Sequence, residues 1–452
     1  MDPLLSTHFT PTDKSVWMLQ VQKELKDPLA VETLRWNTPE GFVAEPYYTA
    51  EDLQTGPFVL SPEAGQSVQK HTPGWLNAPT YPLSSDAQAD NRMLRDALTR
   101  GADGLVVTLS DRPEPGDAAI QQLSRLLNGI KLSDTPVFFY PEADALSVVE
   151  ALKTVAPYQL KGGLLNDSGT DVAETTRLTA DSPLFRTVCV SSHEFHNAGA
   201  TATQELAFML AKLADLYDSL TDAGLSIDQL IPKTILSVSV GTSYFMEIAK
   251  LRALRVLVDQ FAGHYPVSGA YPLFIHAQTS AFYDAATTPY TNLLRATTEA
   301  MAAVIGGCDV LTVRPYDAVL GQQATPANRE FSDRVARNIS VLLKEESYFD
   351  KVADPAAGSY YIETLTHQLT QNAWTLFLDV EQQGGFANAL ASGFITAAID
   401  SSYRTKVEAV KQGRVLVGVT KFRHDEPSAQ SPVTPGPANG PLPDRRLAEE
   451  FE

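Results

Sequence analysis

Between about residues 75 and 314 the chain alternates short apolar runs with segments of helical period, and this alternation restricts the fold more than any other feature. The runs fall at 75–81, 102–109, 136–140, 161–166, 187–192, 234–240, 271–278 and 309–314. Each has the length and near-continuous apolarity of a strand buried on both faces, as strands of parallel sheets are. A helical segment follows each run, seen best where Leu206, Met209, Leu210, Leu213, Leu216, Tyr217 and Leu220 recur on one stripe. Local punctuation agrees: Thr201 stands three residues before Gln204, a capping-box pairing, and Thr288 precedes Pro289 as N-cap and first helical residue. Eight such units without a G-x-G-x-x-G turn predict an α/β fold of the closed (β/α)8 TIM-barrel type rather than a doubly wound dinucleotide fold.

The remaining sequence divides around that repeat. Residues 1–70, with Trp17, Trp36 and Pro46-Tyr47-Tyr48, read as an arm packed on something else, and 71–325 as the barrel. Residues 326–426 read as a C-terminal helical extension, with helices expected at 328–345 and 365–382 and a break from Asp354 to Tyr361. Residues 427–452 read as a linker and tail, with six prolines between 427 and 443 and a helix-prone stretch from Asp444 to Glu452.

Composition excludes several classes. Hydrophobic residues at 44%, charged residues at 20% and a mean hydropathy of -0.12 describe a globular chain with ample core. Its 54 acidic against 35 basic side chains give a net charge of -19, a field that repels nucleic acid and anionic lipid. Cys189 and Cys308 both sit in apolar stretches and read as buried thiols of a reducing compartment. No leader pattern and no apolar run of about 18 residues is present, so the expected location is cytoplasmic, without a membrane segment.

In a barrel of this kind chemistry sits on the loops after the strands' C-terminal ends. There the sequence places His193, Glu194 and His196 after the fifth strand, Tyr244 after the sixth, Gln278 on the seventh and Tyr316 after the eighth. A zincin needs His-Glu-x-x-His on a helix; here the histidines are three apart in an expected loop with no third ligand, so no metal is expected. His276, inside an apolar strand, reads as a hydrogen-bonded core histidine. Cys189 and Cys308 read as packing rather than nucleophiles. Gly306-Gly307 and Gly384-Gly385 read as helix stops, and the charges of Glu247 to Arg252 as a solvated helix face.

Several ordered segments carry a resemblance: Asn197-Ala198-Gly199-Ala200-Thr201 with Gln204-Glu205-Leu206-Ala207, Phe245 to Arg252, and His276 to Ser280. To these are added Arg334 to Asn338, Glu345-Glu346-Ser347, Asp354 to Tyr361 and Val417 to Arg423. In this order, from about residue 70 to 424, the chain resembles the barrel domain of the methylmalonyl-coenzyme A mutase family. Trp36 to Gly41 also resembles the family's N-terminal segment that reaches over a partner subunit. The resemblance implies interconversion of methylmalonyl- and succinyl-coenzyme A by a radical from adenosylcobalamin, the cofactor supplying the hard chemistry, as part of propionate metabolism.

The same comparison exposes departures. The family's cobalamin domain carries D-x-H-x-x-G, yet none of the eight histidines here has Asp two residues before it. A chain of this length also leaves no room for that domain beyond the linker, so none is expected. Where the family's Tyr-His-Met-Gln-Glu supplies a histidine that hydrogen-bonds the thioester carbonyl, this chain has Glu194, and a carboxylate there would repel developing charge. The family's substrate-contacting glutamine is replaced by Leu165, and its Trp-Thr-Ile-Arg-Gln-Tyr by Trp75 to Tyr81. Asp354 to Ser359, Leu294 to Thr297 and Gly384-Gly385-Phe386 resemble the non-catalytic small (β) chain of the heterodimeric mutases. The expectation is thus a small subunit without catalytic residues, scaffolding a large catalytic subunit that binds adenosylcobalamin. The alternatives are a catalytic barrel that takes cobalamin from a separate protein, and an unrelated metal-dependent barrel enzyme using His193 and His196.

Overall fold

Seven of the eight apolar runs form one parallel strand each; the run at 75–81 is broken in the middle, and a short strand at 185–186 precedes the run at 187–192. The computed structural model describes residues 13–26, 31–55, 70, 72–84, 86–109, 117–141, 144–166, 171–265, 273–323, 326–423 and 442–452. The strands are β1 (Leu76–Asn77), β2 (Thr80–Pro82), β3 (Leu105–Leu109), β4 (Val137–Pro141), β5 (Gly162–Leu164), β6 (Phe185–Arg186), β7 (Val188–Ser191), β8 (Thr234–Val240), β9 (Ile275–Thr279) and β10 (Val310–Thr312). They form two five-stranded parallel sheets, ordered β1-β10-β9-β8-β7 and β2-β3-β4-β5-β6.

The segments 76–82 and 185–191 serve both sheets. Leu76 pairs with Val310 while Thr80, beyond Pro79, pairs with Val106. Arg186 pairs with Gly163 while Val188 pairs with Thr234. Strand alternation then sorts side chains: Leu105, Val107, Leu109, Val137 and Phe139 join the outer helices' core. Val106 and Phe138 turn the other way, into one cluster with Ala78, Leu165, Cys189, Ile235 and Val310, drawn from both sheets. Phe138 stacks on Phe274, whose far chemistry is a cation: the Arg186 guanidinium lies 3.7 Å from its ring centre. At Gly162 the backbone has φ +114° and an added Cβ would stand 1.9 Å from the Val137 carbonyl oxygen, so only glycine fits between β4 and β5.

Helices cover the outer faces. They include α1 (Lys14–Leu25) in the arm, α2 (Ala87–Thr99), α3 (Asp117–Leu126), α4 (Ala145–Val155), α5 (Val172–Leu178), α6 (His193–Ala198), α7 (Ala202–Asp222), α8 (Tyr244–Ala262) and α9 (Pro289–Ile305). The extension holds α10 (Pro326–Glu345), α11 (Tyr360–Gln382), α12 (Phe386–Ala391) and α13 (Phe394–Lys411). The capping box at Thr201 and Gln204 is formed as the spacing predicts. Thr288 is the N-cap of α9, but its hydroxyl donates to the Gly418 carbonyl rather than capping the helix.

Four expectations need correction. The segment after the fifth apolar run is helix α6, not a loop, because it ends in Gly199 at φ +104°, a glycine C-cap. Helix α11 starts at Tyr360, earlier than expected, because the Ser359 side chain accepts from the Ile362 amide. Helices α12 and α13 follow Gly384-Gly385 and were not foreseen. The charges of α8 are not solvated: Glu247, Lys250 and Arg252 are buried, for reasons given below. The tail forms a 3-10 turn at Leu447–Glu450, docked through Leu447 and Ala448, and most of the proline-rich linker lies outside the described residues. Among the described residues no helix is long and apolar enough to cross a membrane.

Candidate functional site

Helix α6 opens where β7 ends, and its first residue turns inward. His193 Nδ1 lies 2.6 Å from the Ser239 hydroxyl and its Nε2 2.7 Å from that of Ser237, both on β8. Ser237 also meets His276 Nδ1 on β9 at 2.7 Å, and His276 Nε2 meets Thr312 on β10 at 2.9 Å. Thr312 donates to the Ala78 carbonyl oxygen at 2.7 Å, which fixes the direction of the whole chain. With its proton committed, Thr312 accepts from His276 Nε2; His276 Nδ1 then accepts from Ser237, Ser237 from His193 Nε2, and His193 Nδ1 from Ser239. Both rings are neutral. Burial, reinforced by the neighbouring His276 and His196, holds His193 down at about 3, and burial holds His276 at about 4.

A second network starts at His196, one turn further along α6. Its Nδ1 is 2.7 Å from Glu205 on α7, and its Nε2 2.7 Å from the Ser280 hydroxyl just after β9. The other Glu205 oxygen accepts from Lys250 of α8 at 3.1 Å and from Ser192 at 3.2 Å. Lys250 also donates to the Ser239 carbonyl and forms an ion pair with Glu247 at 2.7 Å. Burial opposes ionisation of Glu205, but Lys250 and then His196 outweigh it and hold the carboxyl down at about 2. Lys250 is likewise held charged, well above its ordinary value, by Glu205 and Glu247 against the cost of burial. Buried ions persist only when paired in this way. The arm enters the same region: buried Glu40 accepts from the Thr203 amide at 2.9 Å, and burial pushes its carboxyl up.

The structure does not gather the six sequence candidates into one constellation. His193 and His276 approach within 6.3 Å, ring centre to ring centre, and His196 lies in the adjoining network. Glu194 points away, pairing with Lys212 of α7 at 2.7 Å. Tyr244 is half-buried against Phe245, and Gln278 is half-buried on β9 between Ser239 and Thr312. Tyr316 packs on Tyr290 and Phe331. Leu165 is buried in the apolar cluster shared by both sheets. Among the described residues no three potential ligands converge on a metal site, and the ring nitrogens of His193 and His196 are all engaged.

Sequence reasoning missed Glu205, Lys250 and Ser280 as partners. Only their occurrence inside apolar helical or strand-end segments signalled that they are buried. The ordered motifs acquire structural reasons as well. Buried Arg252 pairs with Asp354 and, at 2.7 Å, with Glu363, tying α8 to the turn before α11. At Gly199 a Cβ would stand 2.9 Å from the Tyr403 side chain, and Lys406 donates to the Ala200 carbonyl at 2.7 Å, so the turn after α6 is clamped on α13.

Comparison with known proteins gives a consistent result. The family described as methylmalonyl-CoA mutase matches residues 164–438. The methylmalonyl-CoA mutase small subunit of Porphyromonas gingivalis is 34% identical over 447 residues, covering 92% of this chain and 71% of that protein. The small subunit of Streptomyces virginiae is 30% identical, covering 95% and 72%. The methylmalonyl-CoA mutase of Cereibacter sphaeroides is 31% identical, covering 91% of this chain, which spans only 64% of its length.

Proposed function

The chain belongs to the methylmalonyl-CoA mutase family, and from that premise we propose that it is a small subunit, a non-catalytic scaffold for a large catalytic subunit. Two relatives at 30% identity or above carry the small-subunit name over more than nine-tenths of this chain, which supports that reading. We read the two sheets as one closed (β/α)8 barrel, because the segments 76–82 and 185–191 each serve both of them. The numbered boundaries 1–70, 71–325, 326–426 and 427–452 belong to the same proposal. The proposal keeps catalysis of methylmalonyl-CoA/succinyl-CoA interconversion on the partner, in a heterodimer.

The observation that carries the reading is the barrel interior. Phe138, Leu165, Ile235 and Phe274 fill one level of it, and the next is occupied by His193, Ser237 and His276 bonded to one another. Neutral histidines whose protons are all committed to neighbours have nothing to give a thioester carbonyl. Glu194, at the position of the family's histidine, faces Lys212 instead of the axis. His193, His196 and His276 do not fit cobalamin either, since both ring nitrogens of each are engaged. We therefore assign adenosylcobalamin to the partner subunit.

Calorimetric titration of the full chain with methylmalonyl-CoA tests the filled barrel. The expected result is no saturable heat at ligand concentrations up to about 1 mM, the weak-binding limit near -4 kcal/mol. Saturable one-to-one binding in the micromolar range contradicts it.

A further inference from the structure

Residues 442–452 have a place in the fold that the scaffold reading does not use. Residues 442–452 lie across the end of α6, the irregular loop after β9 and the middle of α13. The Arg445 amide donates to the Asn197 carbonyl at 3.0 Å, and the Leu447 amide to that of Phe282 at 2.8 Å. Arg446 donates to the Asp284 carbonyl at 3.0 Å and pairs with Glu452 at 3.2 Å. The buried Glu452 carboxylate accepts from the Ala286 and Thr287 amides. Arg445 pairs with Asp400 at 2.8 Å and lies over Tyr403, whose hydroxyl donates to Glu450.

These bonds answer a need of the loop. Residues 281–287 form no regular element, so their buried amides and carbonyls must find partners elsewhere. The segment supplies them at Phe282, Asp284, Ala286 and Thr287. It also seals an apolar seam: Leu447 packs with Phe282, Val407 and Val410. Phe282 in turn stands edge-on to His196, at 6.0 Å between ring centres. Leu447, Phe282 and His196 are thus three successive layers. Beneath them His196 Nδ1 lies 2.7 Å from the Glu205 carboxylate and Nε2 2.7 Å from the Ser280 hydroxyl.

We propose that residues 442–452 are an in-cis strap that closes this face of the sheets and keeps the Ser280–His196–Glu205 relay out of solvent, and that lifting it exposes His196 without unfolding the barrel. The strap is suited to that role. Residues 442–452 form only a 3-10 turn and are held by a handful of charged bonds and three buried apolar side chains, Leu442, Leu447 and Ala448, the profile of a segment that opens below the global unfolding free energy.

Acylation of histidines by diethyl pyrocarbonate on the full chain, read residue by residue by mass spectrometry, tests this. In the wild-type chain His196 and His276 are both expected to react slowly. In Leu447→Asp, which places a charge against Phe282, His196 is expected to react about ten-fold faster or more while His276 stays protected, as local opening requires. The paired change Arg446→Gln with Glu452→Gln, which leaves Leu447 in place, is expected to give the same pattern and decides the matter where Leu447→Asp does not fold. An unchanged His196 rate in the folded variants overturns the proposal. So does a parallel rise at His276, which would mark loosening of the whole barrel.

Discussion

Lys250 shows how much one buried charge decides. It pairs with both Glu205 and Glu247, holds the Glu205 carboxyl ionised, and all three are buried. Lys250→Met is expected to destabilise the chain by about 3–5 kcal/mol in urea unfolding, because it leaves carboxylates in the interior without a counter-charge. Lys212→Ala, at the half-exposed pair with Glu194, is expected to change stability by less than about 0.5 kcal/mol. His276 makes a pH prediction. Its ring stays neutral in the folded chain down to about 4, against an ordinary value of 6.5. As pH falls through 6.5 the unfolded chain takes up a proton that the folded chain does not, so stability is lost between about 6.5 and 4, at up to about 1.4 kcal/mol per pH unit. The stability gap between wild type and His276→Gln is therefore expected to narrow from pH 7 to pH 5. A constant gap contradicts the burial. The reading of His276 as a core histidine was available from its apolar neighbours, but the neutral chain from Ser239 to Ala78 was not, since its members come from five separated runs.

Elements were the most legible level of the sequence, and their failures are physical. Each apolar run became strand because burial on both faces leaves a nearly continuous apolar pattern. Helix α7 was found by its stripe and its cap; Thr201→Ala is expected to cost about 1 kcal/mol by losing that cap, measured by chemical denaturation. Helix α6 escaped because six residues are too short to show a period. The burial of α8 escaped because apolar periodicity counts charged residues as outward-facing, whereas Glu247, Lys250 and Arg252 are matched by partners on α7, α11 and the turn at Asp354. At Gly162 the pairing of β4 with β5 leaves no room for a side chain. Gly162→Ala is expected to destabilise by more than about 3 kcal/mol, or to yield no folded chain, an effect of the size reserved for named backbone or packing failures. A variant with wild-type unfolding behaviour contradicts the pairing.

At the scale of the molecule, the sequence motifs shared with the mutases turn out to hold the fold together. Asp354 to Ser359 seats Arg252 and caps α11, and Asn197 to Thr201 turns α6 into α7 under the clamp of α13. The two positions where the resemblance implies substrate contacts hold, by contrast, Leu165 in an apolar cluster and Glu194 in an ion pair with Lys212. Both residues could be read from the sequence. What could not be read was that the space between the strands is taken up by mutual hydrogen bonds, because that depends on which strands become neighbours. On the proposed reading, a chain so arranged supports a catalytic partner rather than replacing it. The most direct test is mutase turnover by the purified full chain with adenosylcobalamin and a free cobalamin-binding protein, set beside turnover by the same chain mixed with its large subunit. The account expects activity only when the large subunit is present. Conversion of methylmalonyl-CoA to succinyl-CoA without it contradicts the account.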